Sequence, residues 1–416
     1  MRDDTQEIES TPPVAIFDAD WPPALVFARS LSRAGVPVHV YSHRRFPAAR
    51  LCRDTVAFAR CPNPSDLESF QGWLDAELGS GRIELVAPTS DLVLCHLHLL
   101  GRRHPPLVAA SIAPTEALLS ALVKDRFAQR CQEAGVRTPR VMTPRSADEA
   151  RAAGRVLGFP VVVKPRAHFA TQDRGRLVRD EASLAKRFVN LMLETRDDVL
   201  LDRLPDLRWP LVQEYIPHGP GDLLSVAGVL SPEGRVLGAS ASRKWAQWPP
   251  RLGVGTFFED ADDPDLVARG CDLARRLLGR GFFEIEYVRD RRTGELFALD
   301  LNPRAYGQIE LDAARGLDLP WIWYRSVTGR PLEALSPPLV RGMAWLQTLP
   351  FVMGLLFGAH TAGGRREGRQ RLSMVLRRQR VHAGLNRHDL ASSGLYLLRT
   401  AGLTLDCLRG YLRPGA

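Results

Sequence analysis

One stretch of the 416-residue chain restricts its fold more than any other: Gly281 to Arg304, GFFEIEYVRDRRTGELFALDLNPR. Apolar and aromatic residues cluster in Phe282–Tyr287 and Leu296–Leu301. The charged run Arg289–Glu295, with Gly294, supplies a turn, so the spacing predicts two short strands joined as a hairpin. Antiparallel pairing brings Glu286 near Asp300 and Asn302, with Arg304 close behind. Two carboxylates and a carboxamide form an all-oxygen cluster suited to a hard cation that also holds phosphates. A surface hairpin with a polar solvent face is the other reading of the same residues. The apolar flanks favour burial, and a buried acid needs a partner or a metal. Strand alternation puts Glu284 and Glu286 on one face, so it does not choose between them; Asp300 and Asn302 also share a face.

The length and a 45% hydrophobic content predict two or three domains with substantial cores. The first residues, MRDDTQEIESTPP, lack the basic start and apolar core of a secretory signal, which gives the expectation of a cytoplasmic protein. Six cysteines are scattered without a CxxC pair or His-linked spacing, so reduced thiols are expected and neither a zinc site nor a disulfide framework. The net charge of +9 raises nucleic acid or an anionic membrane surface as partners. The basic residues lack an aromatic-interleaved motif, however, so no nucleic-acid partner is expected. Only four of the 56 basic residues are lysines, Lys124, Lys164, Lys186 and Lys244. Where a compact ammonium must meet a phosphate, Lys and Arg are not interchangeable, so each lysine is a candidate site residue.

From Val14 the chain reads as a buried strand, a loop with Asp18, Asp20 and Pro22–Pro23, an amphipathic helix, and a second strand at Val36–Tyr41. This β-α-β start predicts a parallel sheet, and the absence of GxGxxG excludes the dinucleotide fingerprint. Ser65–Leu78 is a helix candidate with Ser65 as N-cap, and Ile83–Asp91 a further strand. Asp18, Asp20, Ser90 and Asp91 at the strand tips line a substrate site or, alternatively, form turns and caps. His96 and His98, two apart on a helix, read as structural.

Lys124 starts a helix in VKDRFAQRCQEAG. A β-branched strand Val161–Val163 carries Lys164 at its end, and the loop through Ala167, His168, Ala170, Thr171 and Gly175 can fold down as a lid. A strand then ends at Gln213-Glu214-Tyr215-Ile216, followed by a Pro/Gly-rich turn and a strand from about Asp222. It is either a strand end that meets a ligand or a plain hairpin. Arg243-Lys244-Trp245 precede AQWPPRLGVGTFFED; a phosphate or carboxylate contact and cation–π packing are the two readings. Pro264 opens a helix at Asp265–Leu278, and another follows at Glu310–Gly316. Met343–Ala359 is apolar but falls short of the ~20 residues a membrane span needs, so it reads as a buried or membrane-surface segment. Seven arginines between Arg365 and Arg380 face only Glu367, as a solvated helix face or as a surface for anionic lipid or polymer.

Taken in order, the helix lysine in VKDRF, the strand lysine in VVVKPR, the hinge VQEYI with a later acid, the RKWAQWPP segment and the hairpin ending in LNPR resemble the ATP-grasp superfamily. The likeness is greatest to its carboxylate–amine ligase branch, which includes D-aspartate ligase-like enzymes, and covers residues 14 to 330. The resemblance implies an α/β (α+β) fold. Residues 1–13 would be disordered, 14–115 a Rossmann-like pre-ATP-grasp domain, 116–330 an ATP-grasp domain of two α+β subdomains, and 331–416 a basic helical extension. It implies that Lys124 and Lys164 contact ATP phosphates, with Lys244 a further phosphate contact. Gln213 and Ile216 would meet adenine through the backbone, with Glu214 nearby and Asp222 on the ribose. Glu286, Asp300 and Asn302 would bind two Mg²⁺ ions, with Mn²⁺ as an alternative, and Arg304 would stabilise the transferring phosphoryl group. The choice of Glu286 over Glu284 rests on this resemblance. Two departures stand out: AHFATQDRG has one late glycine where relatives' lids are glycine-rich, and Asp300 stands where the second metal acid is usually Glu.

The implied activity is ATP-dependent ligation of a carboxylate to an amine through an acyl phosphate. The rival readings are a bicarbonate-using carboxylase-like enzyme and a non-catalytic nucleotide-binding module. Expected partners are small-molecule carboxylates and amines, an anionic surface for the arginine tail, and a second copy of the chain.

Overall fold

The computed structural model describes residues 11–52, 56–99, 105–169, 171, 174–195, 204–249, 252–332, 339–358 and 362–412. Three sheets organise them. The first is parallel and ordered β3-β2-β1-β4, with β1 Val14–Ile16, β2 Val38–Ser42, β3 Val56–Arg60 and β4 Leu85–Val86. Its first crossover is the helix Pro22–Arg33, whose two prolines stand at the first helical positions, where their missing N–H groups cost nothing. That helix is buried along almost its whole length, which joins the parallel sheet to the rest of the molecule. Phe27 lies 5.4 Å from Phe282 and 5.5 Å from Trp323, ring to ring.

The second sheet has four strands ordered β5-β8-β6-β7: β5 Val141–Met142, β6 Val161–Lys164, β7 Arg176–Val178 and β8 Leu211–Glu214. Its own small core sets Val161 and Val163 against Leu184 and Phe188 of the helix Glu181–Glu194. The third sheet carries the predicted hairpin. Its order is β13-β12-β9-β10-β11-β14-β15, with β9 Leu223–Leu230, β10 Val236–Trp248, β11 Val254–Ala261, β12 Gly281–Arg289, β13 Leu296–Asn302, β14 Met343–Leu346 and β15 Gln379–His382.

Several expectations are corrected. The Gln213–Asp222 stretch is no hairpin, because β8 and β9 belong to different sheets. The chain crosses from one to the other there, at the wall of the cleft between them. The cap of the helix Leu67–Gly79 is Asp66, whose carboxylate accepts from Ser69 N–H, and not Ser65. The strand expected over Ile83–Asp91 shrinks to β4, because Ser90 turns the chain by accepting from Val93 N–H at the start of the helix Asp91–Leu99.

Residues 1–10 lie outside the described set, but Thr11 and Pro12 are held, by Arg330 and by the Tyr324 hydroxyl. The carboxyl-terminal part is not helical throughout. Its apolar run breaks at Gln347 into the buried strand β14, paired antiparallel with β11, and the helix Thr348–Gly358. Ala359 lies outside the described residues, and among these no helix is long and apolar enough to cross a membrane. Five of the six cysteines are buried and all are free thiols.

Candidate active site

A cleft of about 290 Å³ opens between the small sheet and the seven-stranded sheet. Three of the four lysines line it, together with Arg174, Arg304, Glu284, Glu286, Asp300 and Asn302. The hairpin register explains the acid side. Glu286 pairs with Asp300 and Glu284 with Asn302 across β12 and β13, so alternation points all four side chains from one face.

Each acid has a distinct environment. Asp300 Oδ2 accepts from Lys124 Nζ at 2.7 Å and lies 3.0 Å from His168 Nε2. Burial opposes its charge, but Lys124, His168 and Lys164 outweigh that effect and hold the carboxyl well below the usual carboxylate range. Glu286 Oε2 accepts from Lys244 Nζ at 3.2 Å, and the attraction of Lys244 lowers its pKa despite burial. Glu284, 5% exposed, is the most buried of the three: Gln308 Nε2 donates to one oxygen at 2.8 Å and Asn302 Nδ2 to the other at 3.1 Å. Burial, with Glu286 nearby, pushes the Glu284 pKa up. The two glutamates that alternation left equivalent therefore differ. Glu286 faces a cation, whereas Glu284 orients Asn302, whose Oδ1 is left turned toward Arg304 Nη2 at 3.5 Å.

The cation side is equally ordered. Lys124 is the first residue of the helix Lys124–Glu133 and is 4% exposed. Lys164 ends β6; burial, and then the neighbouring Lys124, bring its pKa down to about 8. Gly175 explains the lid's single late glycine. A Cβ there would sit 2.6 Å from Lys164 Cβ and 2.7 Å from the Val163 carbonyl, at a φ of +99°. The loop's return over β6 thus requires the missing side chain. Of the rest of that loop, Ala170 lies outside the described residues.

His168 was visible in the loop but carried no assigned role. Burial, then Lys124, lowers its pKa to about 4, so the ring is neutral near pH 7. Arg174 Nη1 lies 3.1 Å from Nδ1, whereas Nε2 lies 3.0 Å from both Lys124 Nζ and Asp300 Oδ2, between a donor and an acceptor. Arg304 Nε donates to Asp91 at 2.7 Å, so of the four strand-tip residues Asp91 reaches this machinery directly. Asp20 instead holds Ala48 N–H and Arg44, and Ser90 caps a helix. Asp18 lies near Ser90, Asp91 and Arg304 and is exposed.

At the other end, Gln213, Glu214, Tyr215 and Ile216 line the cleft with Val162, Leu177, Leu223 and Leu299. Gln213 lies inside its sheet, in register with Val141 and Val162, which places its main chain in strand pairing. The Ile216 carbonyl accepts from His218 Nδ1 at 2.9 Å, and Glu214 is taken by Arg140. Asp222 is not among the lining residues. Its carboxylate accepts from Gly219 N–H at 2.7 Å and so closes the turn that precedes β9. Lys244 packs over Phe258 at 5.9 Å and also donates to Glu286, so cation–π packing and a carboxylate contact occur together.

The donor set suits Mg²⁺. Among the described residues no three His, Cys, Asp or Glu side chains converge into a preformed cage. Mg²⁺ is commonly held by one or two carboxylates plus substrate phosphates. Glu286, Asp300 and the Asn302 carboxamide oxygen provide such a partial set, and the ammonium groups beside the two acids show that the position is already arranged for positive charge.

No family model matches the chain. It is 29% identical over 220 residues to the carbamoyl phosphate synthase large chain of Xylella fastidiosa, a region covering 51% of this chain and 19% of that protein. It is 25% identical over 238 residues to the carbamoyl phosphate synthase large chain, C-terminal section, of Methanopyrus kandleri, covering 52% and 40%. The chain thus spans less than half the length of these curated relatives. Its fold matches the biotin carboxylase domain of 2-oxoglutarate carboxylase from Hydrogenobacter thermophilus, solved with MgADP, ADP and bicarbonate. The TM-score is 0.61 at 17% identity, over 80% of this chain and 73% of that one. It also matches N5-carboxyaminoimidazole synthetase from Staphylococcus aureus complexed with ADP, with a TM-score of 0.58 at 13% identity over 78% and 79%. These relatives and structures are ATP-grasp proteins, and the chain has their fold.

Proposed function

We propose that this chain is an ATP-dependent ligase that converts a substrate carboxylate into an acyl phosphate and joins it to an amine, releasing ADP and phosphate. The observation that carries the reading is the convergence of Lys124, Lys164 and Lys244 with Glu286 and Asp300 in one cleft. In a chain with four lysines, a chance gathering of three around two acids is a poor explanation. The likeness to a biotin carboxylase domain solved with MgADP and bicarbonate, and to a synthetase solved with ADP, supports the same reading.

The adenine lies against Val162, Leu177, Leu223 and Leu299, with the Tyr215–Ile216 crossing at its edge. Lys124 and Lys244 turn from Asp300 and Glu286 to the phosphates, where Lys164 joins them, in a site where charge stabilisation is worth more than in water. Glu286, Asp300 and Asn302 would hold Mg²⁺, which would supply positive charge to the triphosphate when bound. A carboxylate oxygen of the substrate attacks the γ-phosphorus and the bond to the bridging oxygen breaks, releasing ADP. Arg304, kept in place by Asp91, faces the charge that develops on the phosphoryl group. The amine nitrogen then attacks the carbonyl carbon, the C–O bond to phosphate breaks, and the amine's proton leaves to solvent. The chain supplies position and charge, since phosphoryl transfer asks little covalent chemistry of a protein.

A bicarbonate-using activity is the second reading, favoured by the carbamoyl phosphate synthase relatives and by the bicarbonate in the Hydrogenobacter structure. An ADP-release screen of carboxylates with hydroxylamine as the amine tests both, with Asp300→Ala as the control. The proposal expects a hydroxamate and acid-dependent ADP release that the control abolishes. ADP release driven by bicarbonate alone favours the second reading. ATP binding without turnover across the whole panel would make the chain a nucleotide-binding module.

A further inference from the structure

We infer that the end of the cleft beyond Lys244 is a pocket for an uncharged, apolar body on the carboxylate substrate, and that the carboxyl-terminal strand β14 builds its wall. This inference rests on the ligase reading.

The register places the wall. Lys244 on β10 pairs with Phe258 on β11, and Phe258 with Trp345 on β14, so one row crosses three strands from the charged centre to an aromatic edge. The Phe258 and Trp345 rings meet edge to face at 5.8 Å. The alternate residues Phe257, Ala344 and Leu346 point the other way, into a separate core with Phe351 and Val375. Gly255 makes the row possible, because a Cβ there would lie 2.2 Å from the Phe258 ring. Trp21, partly exposed after β1, lines the same cleft.

The chemistry of this end excludes charge. Two of its amide side chains are already engaged: Gln347 donates to the Tyr396 hydroxyl at 3.3 Å, and Gln308 to Glu284 at 2.8 Å. The lining acids, Glu284, Glu286 and Asp300, belong to the central cluster, so a cationic substrate body finds no counter-charge here. A second carboxylate would have to draw Lys244 from the triphosphate, Arg174 from His168 or Arg304 from Asp91. An apolar body instead removes aromatic surface from water, and filling such a pocket is worth about tenfold to a hundredfold in discrimination.

The test measures kcat/KM for ADP release with leucine and phenylalanine against aspartate, glutamate and lysine, each paired with hydroxylamine. The expected result is a preference of at least about tenfold for the apolar acids. Trp21→Ala and Phe258→Leu should each shrink that ratio several-fold while the Kd for ATP changes less than about twofold. Because Trp21 is partly exposed, its variant keeps the test valid if the Phe258 variant is unstable. Preference for a charged acid, or a ratio that neither variant moves, overturns the pocket while leaving the ligase reading intact. Bicarbonate as the only acid accepted also overturns it. Failure of every acid, with ATP still bound, defeats the ligase reading and the pocket with it.

Discussion

Lys124 Nζ and Asp300 Oδ2 lie 2.7 Å apart, from a helix start and a strand end separated by 176 residues. Their side chains are 3% and 12% exposed. The pair holds the cleft's cation side against its acid side: the ammonium proposed for phosphate neutralises the carboxylate proposed for metal. Removing one partner leaves an uncompensated buried charge, which costs about 3–5 kcal/mol, whereas an apolar replacement of both is far milder. Urea unfolding should therefore show Lys124→Met destabilised by that amount and Lys124→Met/Asp300→Leu by clearly less. Neither variant should release ADP.

The division of labour between Glu284 and Glu286 predicts different failures. Glu286→Gln removes a candidate metal oxygen and should lower ADP release more than about a hundredfold, with a higher Mg²⁺ requirement. Glu284→Gln puts an amide between two amide donors, Asn302 and Gln308, and loosens the orientation of Asn302. Outer partners of metal ligands typically contribute about tenfold to a hundredfold. A Mg²⁺ titration of ADP release, with ATP affinity measured separately, distinguishes the two.

Glu310 predicts a pH dependence of stability away from the cleft. Burial raises its pKa from 4.5 to about 7, against the opposing effects of Gly384 N–H and Arg29. The folded state thus keeps a proton that the unfolded state has lost. The resulting stability is present in full below about pH 4.5 and is lost as pH rises through about 7. Glu310→Gln should flatten this slope, changing the stability difference from the parent by roughly 3 kcal/mol between acid and neutral pH. Parallel denaturation series at several pH values measure it.

Gly175→Ala should strain the loop's return over β6, since the new Cβ meets Lys164 and the Val163 carbonyl at a positive φ. The expected cost is about 1–3 kcal/mol of stability, with weaker ATP binding because Lys164 is displaced. Calorimetric titration with ATP measures the second effect.

The hairpin was legible because period-two alternation and a turn fix a register, and the register alone sets Glu286 opposite Asp300. The lysines were legible because the background composition disfavours them. Roles that depend on long-range partners were not. Asp222 reads as a ribose acid until its carboxylate is found closing a local turn, and nothing in the chain announces that Arg140 takes Glu214. The continuous apolar run from Met343 hid a strand-to-helix switch, because burial on both faces erases periodicity. With β14 hidden, the wall it forms with Phe258 was hidden too.

In the proposed reaction a carboxylate oxygen attacks the γ-phosphorus and later departs with the phosphate. Turnover of the fastest substrate acid, its carboxylate labelled with ¹⁸O, with an amine in unlabelled water tests this by mass spectrometry of the phosphate released. One ¹⁸O atom in each phosphate is the predicted result. Phosphate without label, at the same rate of ADP formation, would contradict an acyl phosphate intermediate.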